Sequence, residues 1–357
     1  MFIIEENLFL CYGGVYSMET KEIERLTALA TQNVSDIVEH AIEHTSIHQA
    51  LVIYDTEDGL TRIITEAYRR ALPNAQFINF ATQTKDVLMT TFAKLSPKDL
   101  VVLIQTSNFR LDEFRIRLHL FSLGLKVIEH LHLYRNSEET WETYVNALAY
   151  DKEWYRTMGP KLKARLETTY TLRRKAGTAE LTITGGVEVP KLNIGDYTGM
   201  ENIGGTFPIG EVFTEAKDFT KMNGSLHVYA FAGADFHINM HEPFQIDIKE
   251  GLIVGWAKDA PQAFIDVVAL VKSYERPLIR EIGFGLNRAI TREHYLKDIT
   301  AFERIYGMHF SLGEKHSVYK KEGITTHKTK FHVDLFPVVD TVLADGVPIF
   351  KNNTYLL

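Results

Sequence analysis

The sequence predicts an α/β amino-terminal domain built on a parallel sheet, followed by a mixed α+β, largely β, carboxy-terminal domain that binds metal. Three observations lead there. Apolar strand runs alternate with helical stretches through residues 1–160. In residues 161–357 short strands and glycine turns take over from about 179 onward. Near the end, a histidine and an aspartate stand two residues apart inside an apolar run, His332-Val333-Asp334.

The elements follow in order. ALVIYD (50–55) is a buried-strand run, and GLTRIITEAYRRAL after it has helical spacing. AQFINFA is the next strand, TKDVLMTTFAKL the next helix and DLVVLIQ the third strand. RLDEFRIRLHLFSLG (110–124) reads as a helix and LKVIEHLHL as a strand. This βαβαβ order implies a parallel sheet covered by helices on both faces. It resembles a Rossmann layer, yet no loop carries G-x-G-x-x-G or G-x-x-x-x-G-K-[ST], so a nucleotide site has no support. A helical stretch, WYRTMGPKLKARLETTYTLRRKA, bridges to the second half. There AELTITGG, SLHVYAFAG, FQIDIKEGLIVGW, IREIGFGLNRAI, YGMHFSLG, KFHVDLFPVV and VPIFKNNTYLL read as strands and turns, interrupted by one helix, DAPQAFIDVVALVKSYE.

Composition narrows the function classes. A formal charge of −7 is unlike the basic stripe of a nucleic-acid binder. A single cysteine, Cys11, rules out an internal disulfide framework and any multi-cysteine metal site. The opening MFIIEENLFLCYGG is apolar but acidic and too short to span a bilayer, so no membrane association is expected and a cytoplasmic location is.

His332 and Asp334 fall on one face of a strand. Burying such groups unpaired costs on the order of 2–7 kcal/mol each. A salt bridge between them is the simple remedy; a shared metal ion is the other, since both are ligands for zinc, manganese or ferrous iron. Three upstream positions share the pattern: Glu211 in NIGGTFPIGEVFT, Glu281 in IREIGFGLNR and His309 in YGMHFSLG. Glycines 283 and 285 beside Glu281 permit close backbone approach. Three carboxylates and two imidazoles are enough for two divalent ions.

These segments resemble the metallo-aminopeptidases of the thermophilic aminopeptidase T type, peptidase family M29. NIGGTFPIGEVFT, EIGFGLN (281–287), HFSLG (309–313), His332-Val333-Asp334 and the following LADGVPIF match its motifs in order and rough spacing. The resemblance covers most of residues 160–357 and implies metal ligands at Glu211, Glu281, His309, His332 and Asp334. It further implies two zinc, cobalt or manganese ions, a short-peptide substrate and a homodimer whose sites face an internal cavity. Glu211 would add proton transfer to the leaving amine. Where the family has a tyrosine at the metal centre this chain has His316, with Tyr319 three residues on; His316 would face the tetrahedral oxyanion. A related group of non-haem iron enzymes that open dihydroxypyridine rings is similar in the I-G-x-G-L and H-x-D segments. Its first iron-binding histidine corresponds to Glu281, so its two-histidine, one-carboxylate set becomes one histidine and two carboxylates. An Fe(II) ring-cleaving dioxygenase and a non-catalytic scaffold of a peptide-modifying pathway are the alternatives.

Other motifs have simpler explanations. His40-Ala-Ile-Glu-His44 lies opposite the apolar stripe of its helix, as a solvated face does. His237, His241, His130 and His132 read as surface or packing residues, and the basic EKHSVYKKEGITTHKTK as a solvated loop, with attraction of an acidic substrate or its carboxy-terminal carboxylate as the alternative. Asn287 and Thr206 read as loop-shaping supports of the ligands.

Overall fold

A computed structural model describes residues 18–111, 114–313, 319 and 332–357. Helix α1 (Thr20–Asp36) runs into a π-helical turn, Ile37–Ala41. Its stripe of Val34, Ile37, Val38, Ala41 and Ile42 is buried. Glu43 lies on the outside and pairs with Arg156 and Lys152, but His44 Nδ1 is buried, so the His40–His44 motif straddles the surface rather than forming one solvated face. Then come β1 (Ala50–Tyr54), α2 (Gly59–Ala71), β2 (Gln76–Asn79), α3 (Lys85–Phe92) and β3 (Leu100–Ile104). Asp58 starts α2 by accepting from the Leu60 amide at 2.8 Å, within a capping box completed by Thr61.

Residues 110–124 do not form the single helix that their sequence predicts. Arg110–Leu111 (β4) pairs antiparallel with Phe114–Arg115 (β5), and helix α4 covers only Ile116–Ser122. The helix begins where buried Ile116 and Leu120 recur at i,i+4 spacing. Strand β6 (Lys126–His130), α5 (Trp141–Ala147) and α6 (Lys152–Glu167) follow. The bridging stretch is likewise helical only to Glu167. Beyond it Thr171–Ala176 (β7) alternates inward and outward, with Leu172, Arg174 and Ala176 buried, which is a strand's period.

The second half continues with β8 (Ala179–Thr184), β9 (Lys191–Asn193), β10 (Gly204–Thr206), β11 (Glu211–Thr214), β12 (Met222–Ala232), β13 (Ile238–Lys249) and β14 (Leu252–Trp256). After α7 (Gln262–Tyr274) come β15 (Ile279–Gly285), α8 (Ile299–Phe302), β16 (Gly307–Gly313), β17 (His332–Pro337), β18 (Thr341–Ala344), β19 (Val347–Lys351) and β20 (Thr354–Tyr355). Two main sheets result. The first is parallel, in the order β10-β6-β3-β1-β2. The second is a curled antiparallel sheet in the order β20-β19-β18-β7-β8-β12-β17-β16-β15-β11-β9, with β13 and β14 branching from β12. The expected mixed α/β architecture is present. Its halves interlock: α6 runs through residue 160, and β10 leaves the second half to pair with β6.

At the crevice between β1 and β3, where doubly wound folds hold phosphates, Asp55 accepts from the Thr106 amide at 2.8 Å and from its hydroxyl. A carboxylate stands where a phosphate would need donors. The packed interior also explains His130, which is wholly buried with ring nitrogens 3.0 Å from the hydroxyls of Tyr68 and Tyr144. Burial pushes its imidazole down to about 3. The folded state therefore binds this proton more weakly than the unfolded chain. Stability from this group is intact above about pH 6.5 and is lost as pH falls towards 3, by at most about 1.4 kcal/mol per pH unit. Urea unfolding of His130→Gln between about pH 4 and 6.5 should show a shallower pH dependence than wild type. Identical slopes would refute this account of His130.

Candidate metal centre

Four neighbouring strands, β11, β15, β16 and β17, bring the sequence-predicted ligands onto one sheet face. Pairing places Glu211 opposite Gly285, Gly283 opposite His309, and Ser311 opposite Asp334. Glu281, Gly283 and Gly285 alternate onto that face from β15, and His332 and Asp334 do so from β17. The absence of a side chain at Gly283 is what admits the His309 ring. A Cβ there would lie 2.0 Å from its Cε1 and 2.2 Å from its Nε2. At Gly285 the same freedom admits the Ile305 carbonyl, and with it the segment that carries Glu303 and Arg304.

Two ligand triads result, each with atoms mutually within 4.8 Å: Glu211, Glu281 and His309, and Glu303, His332 and Asp334. In the first, His309 Nε2 lies 3.3 Å from Glu211 Oε1 and 3.7 Å from Glu281 Oε1. In the second, His332 Nε2 is 2.9 Å from Asp334 Oδ1, which also accepts from Ser311 Oγ at 2.5 Å. Arg304 joins the two sets, with Nη1 2.6 Å from Glu211 Oε2 and also on Glu303 Oε1. His316 lies outside the described residues. Tyr319 is buried, and its hydroxyl donates to the carbonyls of Val189 at 2.9 Å and Phe213 at 3.3 Å.

The electrostatics are those of crowded carboxylates. Burial works against a charged His309, but Glu211 and Glu281 overrule it and hold the imidazole up to about 10. Burial likewise opposes protonation of His332, and Asp334 beside it raises its pKa well above the usual value. Asp334 itself resists burial through His332, His309 and Ser311 and sits at about 2. Glu303 is pushed up to about 8 by burial, with Glu211 and Asp334 adding repulsion against the pull of Arg304. Glu211 is held below the usual carboxylate range, Arg304 and His309 outweighing its burial. Protons on the imidazoles thus supply the positive charge that four carboxylates demand.

Protons do not satisfy every atom. Glu211 Oε1, Asp334 Oδ2 and both ring nitrogens of His309 are buried without a hydrogen-bond partner. Each such atom costs about 1–3 kcal/mol when left unpaired. Convergent carboxylate oxygens, with imidazoles that give up a proton on ligation, are the ligand set of a divalent cation, so the residues fit one at each triad. A cleft of about 480 Å³ leads to them, with Glu211, Glu281, Glu303 and His332 in its wall.

Comparison with solved structures adds one fact. The fold is shared. A 2,5-dihydroxypyridine dioxygenase from Pseudomonas putida superposes with a TM-score of 0.60 at 15% identity, covering 94% of this chain and 97% of that one. Wild-type AmpT from Thermus thermophilus superposes with a TM-score of 0.57 at 11% identity, covering 93% and 100%. No protein-family model matches the sequence. No curated protein matches it either.

Glu303 and Arg304 are absent from the sequence-based set. Their one trace is a charged pair in an otherwise apolar stretch, AFERIYG; in the fold Arg304 is buried and Glu303 partly so. Asn287 supports the site as expected: its Nδ2 donates to Ala147 O at 2.8 Å and Ile209 O at 3.1 Å, fixing the approach to Glu211. His241 stacks on Phe231, and His237 sits 3.5 Å from Asp235, both away from the triads. No helix among the described residues is long and apolar enough to cross a membrane.

Proposed function

We propose that the chain is a metal-dependent hydrolase of aminopeptidase type that removes amino-terminal residues from short peptides. The ligand count carries this reading. Four carboxylates and two imidazoles in two joined triads suit a pair of divalent ions, whereas a mononuclear iron site needs three ligands, two of them histidines. The likeness to AmpT, an M29 aminopeptidase, supports it at the level of fold. Glu211, Glu281 and His309 would hold one ion; Glu303, His332 and Asp334 would hold the other. Zinc, cobalt or manganese bound there supplies Lewis acidity, which polarises a scissile carbonyl and acidifies water.

The protein's own groups divide the remaining work. Arg304 keeps Glu211 ionised, which suits a ligand better than a proton carrier. Glu303, which burial pushes up to about 8 when no ion is bound, lines the cleft with His332 and would give up its proton on ligation.

A second reading has its own support. His332 and Asp334, which match the H-x-D pair of the ring-cleaving enzymes, lie 2.9 Å apart, and the dioxygenase fold matches as well as that of AmpT. Metal analysis of the purified protein combined with two assays separates the readings. The hydrolase requires two ions per chain and release of leucine from Leu-Gly-Gly. One iron per chain with oxygen uptake on 2,5-dihydroxypyridine would replace it with the ring-cleaving enzyme. Failure to take up zinc, manganese or iron would leave the non-catalytic scaffold.

A further inference from the structure

The cleft has a second end, and it is built for an anion. Arg117, on α4, lines the same cleft as the ligand triads. One edge of its guanidinium is fixed: Nη1 donates to Glu129 Oε2 at 2.6 Å and to Thr206 Oγ1 at 2.5 Å. Glu129 is steadied in turn by the Thr206 hydroxyl at 3.1 Å and by Gln105 Nε2 at 3.3 Å. The other edge makes no hydrogen bond among the described residues, and the side chain is 31% exposed. A guanidinium held on one side and open on the other is pre-organised for a carboxylate.

A second observation points the same way. The Tyr197 hydroxyl, in the wall of this cleft, is buried and has no hydrogen-bond partner. Burial raises its pKa far above the usual value, so it remains a neutral donor. Asn193 and Asn202 add amide groups to the lining of this cleft, and Leu192 and Phe213 add apolar surface. An adjoining cleft of about 270 Å³ has Arg110, Arg115 and Arg117 in its wall, with Glu129 as the one acid among its described residues. At the metal end, by contrast, Arg304 is already spent on Glu211 and Glu303.

We infer that Arg117, with Tyr197, is the receptor for the free carboxy-terminal carboxylate of a short peptide whose amino end lies at the ligand triads. This assignment rests on the aminopeptidase reading and narrows it to short peptides with an uncapped carboxyl end. Arg117 is a specificity residue rather than a ligand: it touches neither triad.

The test compares Leu-Gly-Gly with its carboxy-terminal amide on manganese-loaded full-length protein. Wild type should prefer the acid by roughly 10- to 100-fold in kcat/KM, expressed mainly in KM, as expected for one charge-assisted hydrogen-bonded contact. Arg117→Gln should bring the ratio near one while keeping the metal content of wild type. Tyr197→Phe, which removes only a hydroxyl, should lower the ratio by a smaller factor and stands in if Arg117→Gln does not fold. A wild-type ratio near one, or a ratio unchanged in the variants, overturns the assignment. Calorimetry with D-leucyl-glycyl-glycine and its amide separates this outcome from failure of the hydrolase reading. If no peptide is cleaved but the acid alone binds, and Arg117→Gln abolishes that binding, the anion receptor stands and the hydrolase falls. Equal binding of the two peptides, or binding of neither, removes the receptor.

Discussion

His332→Ala should lower the metal content from two ions per chain to one and reduce peptide turnover at least about 100-fold. The imidazole is the one nitrogen ligand of its triad, 2.9 Å from Asp334 Oδ1. Without it, Glu303 and Asp334 face each other as carboxylates with Arg304, His309 and the Ser311 hydroxyl left to offset them. The metal-free variant should also be less stable by about 1–3 kcal/mol, less than for a fully buried pair because His332 opens to the cleft. Elemental analysis, a Leu-Gly-Gly assay and urea titration in chelator read the three effects. Full turnover in His332→Ala would remove the aminopeptidase reading.

Gly283→Ala should have a comparable effect without touching a ligand atom. The new methyl would overlap the His309 ring, which packs at 0% exposure and cannot swing outward. Overpacking of this kind costs about 1–3 kcal/mol. Relief by tilting the ring would carry Nε2 away from Glu211 and Glu281, so affinity at that triad should fall roughly 10- to 100-fold. A double-mutant cycle isolates the cause. In a His309→Ala background the methyl has room, so the stability cost of Gly283→Ala should largely vanish there. Additive costs would show that the glycine serves another purpose.

Much of this arrangement was legible in the sequence because regular strands write their geometry as a period of two. Glu281, Gly283 and Gly285 announce one face of β15, and His332 and Asp334 announce one face of β17. Apolar runs such as Leu100–Ile104, buried on both faces, identified the parallel sheet equally well. Short or irregular segments carry no such period. Residues 110–115 look helical because four residues of hairpin are too few to show alternation. Glu303 and Arg304 reach the site from an irregular stretch after α8, drawn in by backbone contact at Gly285, which is tertiary information. Gly204–Thr206 has no strand character of its own and becomes β10 only because β6 offers it a ladder.

That last pairing protects the molecule as well as shaping it. Strand β6 is buried along its length, and without β10 it would end the parallel sheet with a row of open amides and carbonyls, a template for another chain. The segment that closes this edge also carries Thr206, which steadies Arg117, and leads within a few residues to Glu211. Solubility and substrate chemistry therefore draw on the same short piece of backbone. A change between Asn193 and Glu211 that loosens β10 trades away resistance to aggregation together with the cleft, so sequence drift in this stretch is constrained twice over.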